Sequence, residues 1–126
     1  AKGVTVFSQV CVGLVDALEA GDRGKADLLV REHVDTLLKQ CPNPQVAILG
    51  STHYPLMQAA FEAALPAGTL VLSQGRIVAE SLADYLLRHP EFAGSGSTVY
   101  LTTGDARQVS QHAHRFLGLD LAFQAA

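Results

Sequence analysis

Val46-Ala47-Ile48-Leu49-Gly50-Ser51-Thr52-His53-Tyr54-Pro55-Leu56 is the stretch whose reading decides the fold. Its first four residues form an unbroken apolar run, the pattern of a strand buried on both faces of a parallel sheet. The run gives way at Gly50 to small, hydroxylated and titratable residues, and Pro55 suits the first position of a following helix. Strand, turn and helix in that order place Ser51, Thr52 and His53 at the carboxyl end of a strand. In open α/β sheets ligands bind at that edge, where the next helix directs free N–H groups and the positive end of its dipole.

The same alternation extends in both directions. Upstream, Gly3 to Phe7 alternates and is β-branched, which predicts a short strand; Leu14, Val15 and Leu18 then give a short helical face ending near Gly21. From Asp22 to Gln40, Val30, Val34, Leu37 and Leu38 recur at helical spacing opposite Glu32, Asp35 and Lys39, and Cys41-Pro42-Asn43-Pro44 stops the helix. Downstream, Met57, Ala60, Phe61 and Ala64 make the next helical stripe, followed by a strand from Thr69 to Leu72 and a helix from Gly75 to Arg88. Glu91 to Ser97 reads as a loop, Thr98 to Thr102 as a strand, Gly104-Asp105 as a helix start, and Leu119 to Phe123 as a last edge strand. Strands alternating with helices imply parallel pairing and an α/β class.

With 126 residues, 48% of them hydrophobic and 17% charged, the chain has the length and composition of a soluble globular domain. A net charge of −3 and nine scattered Lys and Arg provide no basic field, so neither nucleic acid nor an anionic membrane is an expected partner. No apolar run approaches a transmembrane length and the start has no signal-peptide pattern, which predicts a cytoplasmic location. Cys11 and Cys41 read as two reduced structural thiols.

Ser51 and Thr52 are residue types that serve equally as a helix cap or as part of a ligand-binding turn. A hydrolase nucleophile is disfavoured, because the stretch is not a Gly-x-Ser-x-Gly elbow. Glu19, near the end of the first helix, is by itself a surface carboxylate. Ser8-Gln9, Ser73-Gln74 and Thr102-Thr103 also end expected strands and could converge on one sheet edge. His33, His89, His112 and His114 lack the spacing of a supported metal pair, so no metal site is expected.

Leu49 to Leu56 resembles the second active-site signature of the glutamate racemases, of the aspartate/glutamate racemase superfamily, which reads Leu-Gly-Cys-Thr-His-Tyr-Pro-Leu; seven of the eight positions match. Cys11 to Gly21 is similar to the family's Cys-Pro-x-Leu-Val-x-x-x-Glu-x-Gly stretch. The resemblance continues through Gly75-Arg76-x-Val78-Ala79 and from Thr102-Thr103-Gly104-Asp105 to Phe116-Leu117-Gly118.

It implies a partial flavodoxin-like lobe, with residues 1–70 belonging to the second lobe and 71–126 completing the first, or the two forming one compact domain. It also implies cofactor-independent exchange of L- and D-glutamate, for peptidoglycan, by two thiols facing across a cleft. On that resemblance Ser51 takes the second thiol's place, His53 assists its proton transfer, Glu19 matches the acidic residue kept nearby, and Thr52 contacts the substrate's amino-acid head.

Two departures follow. Ser51 stands where the chemistry needs Cys, and a hydroxyl is far less acidic than a thiol, so the resemblance implies an enzyme impaired in racemisation. The family's Asp-Ser-Gly start and Gly-Cys-Asn-Thr stretch are missing from these residues, which implies self-association or pairing with an N-terminal half. Ser73 also replaces the family's usual Asp. The rival expectation is a non-catalytic α/β binding or assembly module.

Overall fold

The computed structural model describes residues 3–92, 94 and 96–126. Contacts divide the chain into two compact units, Ala1–Leu82 and Ala83–Ala126.

In the first unit the order is α1 (Leu14–Glu19), α2 (Arg23–Gln40), β1 (Val46–Leu49), a 3-10 turn (Tyr54–Met57), α3 (Gln58–Ala64), β2 (Leu70–Ser73) and the start of α4 (Gln74–Arg88). β1 and β2 pair in parallel, Val46 opposite Leu70 and Leu49 opposite Ser73, so the 3-10 turn and α3 form their crossover. Asp22 caps α2 by accepting the Lys25 N–H at 3.0 Å. Gly13, at φ +79, starts α1 in a left-handed conformation that a side chain would strain.

The core is made by one face of each helix. Leu14, Ala17 and Leu18 of α1 meet Ala26, Val30 and Val34 of α2, then Leu49, Met57, Phe61 and Leu65. Leu14, Val30 and Met57 are fully buried, each contributing about 1.5–3 kcal/mol by removal from water.

Two expectations are corrected here. Residues 4–11 adopt no regular structure, and Val4 and Val6 are 66% and 79% exposed. Alternation prepares a backbone for pairing, but the ladder forms only against a neighbour, and β1 and β2 pair only with each other among the described residues. β1 is not buried on both faces either: Leu49 is buried, while Val46 and Ile48 are 46% and 66% exposed. Its helices pack on one side only.

The second unit holds the end of α4, a 3-10 turn (Pro90–Phe92), β3 (Tyr100–Thr102), α5 (Ala106–Leu117) and β4 (Phe123–Ala125). Asp105 caps α5 through the Gln108 N–H at 2.7 Å, and Gly118, at φ +66, ends it. β3 and β4 are parallel, with Tyr100 opposite Phe123. The last strand therefore starts at Phe123, where the sequence pattern would end it. Leu119 to Leu121 is taken up by a turn closed by the Leu121 N–H on the Leu119 carbonyl at 3.1 Å. Phe123 is held by its ring against Tyr100, centroids 5.4 Å apart, and by its N–H on the Ser110 hydroxyl at 3.0 Å. Nothing among the described residues of this unit is buried.

Candidate functional site

The turn that follows β1 is closed by its own serine. The Ser51 carbonyl accepts the Tyr54 N–H at 3.3 Å, and the Ser51 hydroxyl accepts the His53 N–H at 3.3 Å. This is a serine turn rather than a helix cap: the residue before the 3-10 helix is His53, whose side chain makes no capping bond. Pro55 takes the second position of that helix, not the first, and α3 has only seven residues. The dipole at this strand end is correspondingly short, and the amides of His53 and Tyr54 are already used within the turn.

The imidazole of His53 sits between two partners. Its Nε2 lies 3.3 Å from Glu19 Oε1, and its Nδ1 lies 3.4 Å from the Thr52 hydroxyl. Both ring nitrogens are thus engaged, Nε2 with the carboxylate and Nδ1 with the hydroxyl. His53 is part-buried, whereas Glu19 is about half exposed. α1 thus brings a carboxylate from a distant part of the chain onto the turn. Glu19, Ser51, Thr52 and His53 are gathered in one place, an arrangement able to hold and orient a small polar group and relay a proton through the ring.

Below this rim the turn is anchored in the core. Tyr54 packs on Phe61, ring centroids 5.8 Å apart, and its hydroxyl meets the Cys11 thiol. Burial raises the pKa of Cys11, opposed by its hydrogen bond to Tyr54, and burial likewise raises that of Tyr54. Arg23 reaches the turn from α2, its Nη1 donating to the Leu56 carbonyl at 3.2 Å. Neither Arg23 nor the Cys11–Tyr54 contact carries a local sequence signal.

The other polar candidates stand elsewhere. His33 donates from Nε2 to the Val12 carbonyl at 3.1 Å, a structural tie between α2 and the start of α1. His89 stacks on Tyr85 with centroids 4.2 Å apart and meets Glu91 at 2.9 Å; the hydrogen bond from His89 holds the exposed Glu91 carboxyl below its ordinary pKa. In α5, His114 meets Asp120 at 2.9 Å, but Ser110 of the same helix is already committed, donating to the Ala106 carbonyl at 2.8 Å and accepting from Phe123. Among the described residues no group of three or more His, Cys, Asp or Glu could hold a metal ion.

The fold is α/β with parallel strand pairs, and it matches a flavodoxin-like lobe of the glutamate/aspartate racemases. Glutamate racemase isoform RacE1 from Bacillus anthracis superposes with a TM-score of 0.83 at 23% identity, over 98% of this chain and 47% of that one. Glutamate racemase from Thermus thermophilus, solved in complex with β-chloro-D-alanine, does so with a TM-score of 0.75 at 31% identity, over 94% and 46%.

In sequence the chain is strongly homologous to glutamate racemases. It is 52% identical over 126 residues to that of Ruegeria sp. (strain TM1040) and 54% identical over 126 residues to that of Ruegeria pomeroyi, covering all of this chain and 47% of each relative. The glutamate racemase of Paracoccus denitrificans is 52% identical over 127 residues, again with 47% of its length covered. The chain spans about half the length of the curated relatives it matches. No family model matches it.

Proposed function

We propose that this chain is one part of a glutamate racemase-like site, holding the amino-acid head of glutamate at the Gly50–Tyr54 turn and unable, as it stands, to exchange the Cα proton. The observation that carries this reading is the Glu19–His53 pair, 3.3 Å apart, on a turn lying within a chain-long likeness to glutamate racemases. Thr52 contacts the substrate's head, His53 with Glu19 behind it moves the proton, and Ser51 occupies the position of a thiol. That the Thermus thermophilus relative is solved in complex with β-chloro-D-alanine supports an amino-acid ligand.

The serine decides the activity. A thiol near neutral pH supplies a usable fraction of thiolate, whereas a serine hydroxyl without an activating base does not. Residues 1–70 contribute to one lobe and residues 71–126 to the other, with glutamate bound between this chain and a complementary half. No cofactor takes part, and the parent reaction supplies D-glutamate for peptidoglycan in the cytoplasm.

The test is Cα deuterium exchange into each glutamate enantiomer in deuterated buffer. The chain alone should show none, and appreciable exchange would overturn the assigned loss. Ser51→Cys, supplied together with the N-terminal half of a relative such as the Ruegeria pomeroyi enzyme, should restore racemisation; persistent silence of that pair would sink the racemase assignment.

A second reading is a binding or assembly module without catalysis. It is favoured by Val46, Ile48 and Leu70, apolar strand residues that are exposed in the first unit.

A further inference from the structure

The corner between α1 and α2 is tied by several short-range bonds. The Asp22 N–H donates to the Ala17 carbonyl at 2.9 Å, the Gly21 N–H to the Leu18 carbonyl at 3.0 Å, and the Asp22 carboxylate takes the Lys25 N–H at 3.0 Å. Gly21 makes the bend at φ +75, where a side chain would be strained. This corner carries two long polar side chains on either side of the bend, and both reach the same turn. Glu19 meets the His53 ring at 3.3 Å, and Arg23 donates to the Leu56 carbonyl at 3.2 Å.

We infer that Arg23 is a positioning residue for the turn, the second jaw of a clamp whose first jaw is Glu19. Tyr54 anchors the turn in the core through Phe61 and Cys11, and Glu19 holds its outer side at His53. A further fixed point at Leu56 limits the tilt of the 3-10 turn on its outer side and with it the angle at which the imidazole meets the carboxylate. The guanidinium is suited to the task because its planar fork has donors on two edges: Nη1 serves the carbonyl, while Nε faces Asp27 at 3.8 Å, which steadies the side chain along α2. A lysine carries its three donors on one nitrogen, without the two separated donor atoms by which the guanidinium reaches both partners. The inference rests on the racemase-site reading for the importance of the turn, but its test uses no activity.

The test is nuclear magnetic resonance on the 126-residue chain, following the His53 ring resonances and the hydrogen exchange of the Tyr54 and Leu56 amides. Arg23→Ala should move the His53 ring signals in the direction produced by Glu19→Gln and speed exchange at Tyr54 and Leu56 at least about tenfold, leaving Val34 and Ile48 unchanged. Arg23→Lys should recover part of both effects. Ring signals identical to the unsubstituted chain, or exchange that rises equally in α2 and β1, would overturn the inference. If Arg23→Ala fails to fold, Arg23→Gln, which keeps the stem and one amide donor, is read by the same two signals. A racemase assignment lost in the deuterium experiment leaves these resonances untouched, so the two failures are distinguishable.

Discussion

Cys11 and Tyr54 form the lower end of the site, and their chemistry makes a measurable claim. Burial favours the protonated form of both, so the folded chain holds these protons more tightly than the unfolded chain. Stability they contribute is complete below the ordinary thiol value of 9.0 and is lost as pH rises beyond it, and beyond 10.0 for the phenol. Urea midpoints should therefore fall above about pH 9, less steeply in Cys11→Ser; a flat profile to about pH 10.5 would contradict the assignment. The same burial predicts that an aromatic disulfide reagent labels the part-exposed Cys41 first and Cys11 only on unfolding. Rapid labelling of both thiols in Cys41-intact protein, or loss of no fast phase in Cys41→Ser, would count against it. At this scale the turn itself was legible in sequence, since Ser51, Thr52 and His53 are neighbours. Of its partners, Glu19 was named by the family resemblance alone and Arg23 by nothing in the sequence: both lie about thirty residues upstream, and what brings them close is the packing of α1 and α2, not a local pattern.

Helix ends carry much of the local specification among the elements. Asp22 and Asp105 cap α2 and α5 as their positions ahead of helical stripes imply, and each satisfies an N–H that has no partner inside its helix. Asp22→Ala should cost about 0.5–2 kcal/mol, read as a lower urea midpoint at unchanged slope, with Asp22→Asn largely restoring it. No change in the alanine variant would mean that the corner is held by its backbone bonds alone. α2, β1 and β2 were readable because helical spacing and a short apolar run each point to one conformation. The strand expected at Gly3 to Phe7 was not, because its alternation states only that a strand could form there. Whether one does depends on a neighbour elsewhere in the chain. The final strand shows the same limit on a smaller scale, its register being chosen by the Tyr100–Phe123 pairing rather than by the apolar residues just before it.

For the whole molecule, the exposed apolar residues of the first unit set the expected behaviour in solution. Val46, Ile48 and Leu70 on its strands and Ile77, Val78 and Leu82 on the first part of α4 are all exposed. Burying such residues releases water from apolar surface, so the chain should self-associate in a concentration-dependent way. Sedimentation velocity should show mass rising with concentration, and Ile48→Lys should lower it without lowering the urea midpoint, since that side chain contributes little to the core. A monomer at all concentrations would remove the assembly reading. Among the described residues no helix is long and apolar enough to cross a membrane.

The parallel pairing of β1 with β2 has a kinetic meaning. Val46 cannot meet Leu70 until the chain between them has compacted, and that intervening chain is the turn, the 3-10 helix and α3. Parallel pairing is non-local, and the entropy of closing that loop has to be met before the ladder rewards it. The site is therefore not decoration added to a finished scaffold. Its turn lies in the loop that must close for β1 to meet β2, and a substitution there should register in the refolding rate even where it leaves the final stability unchanged.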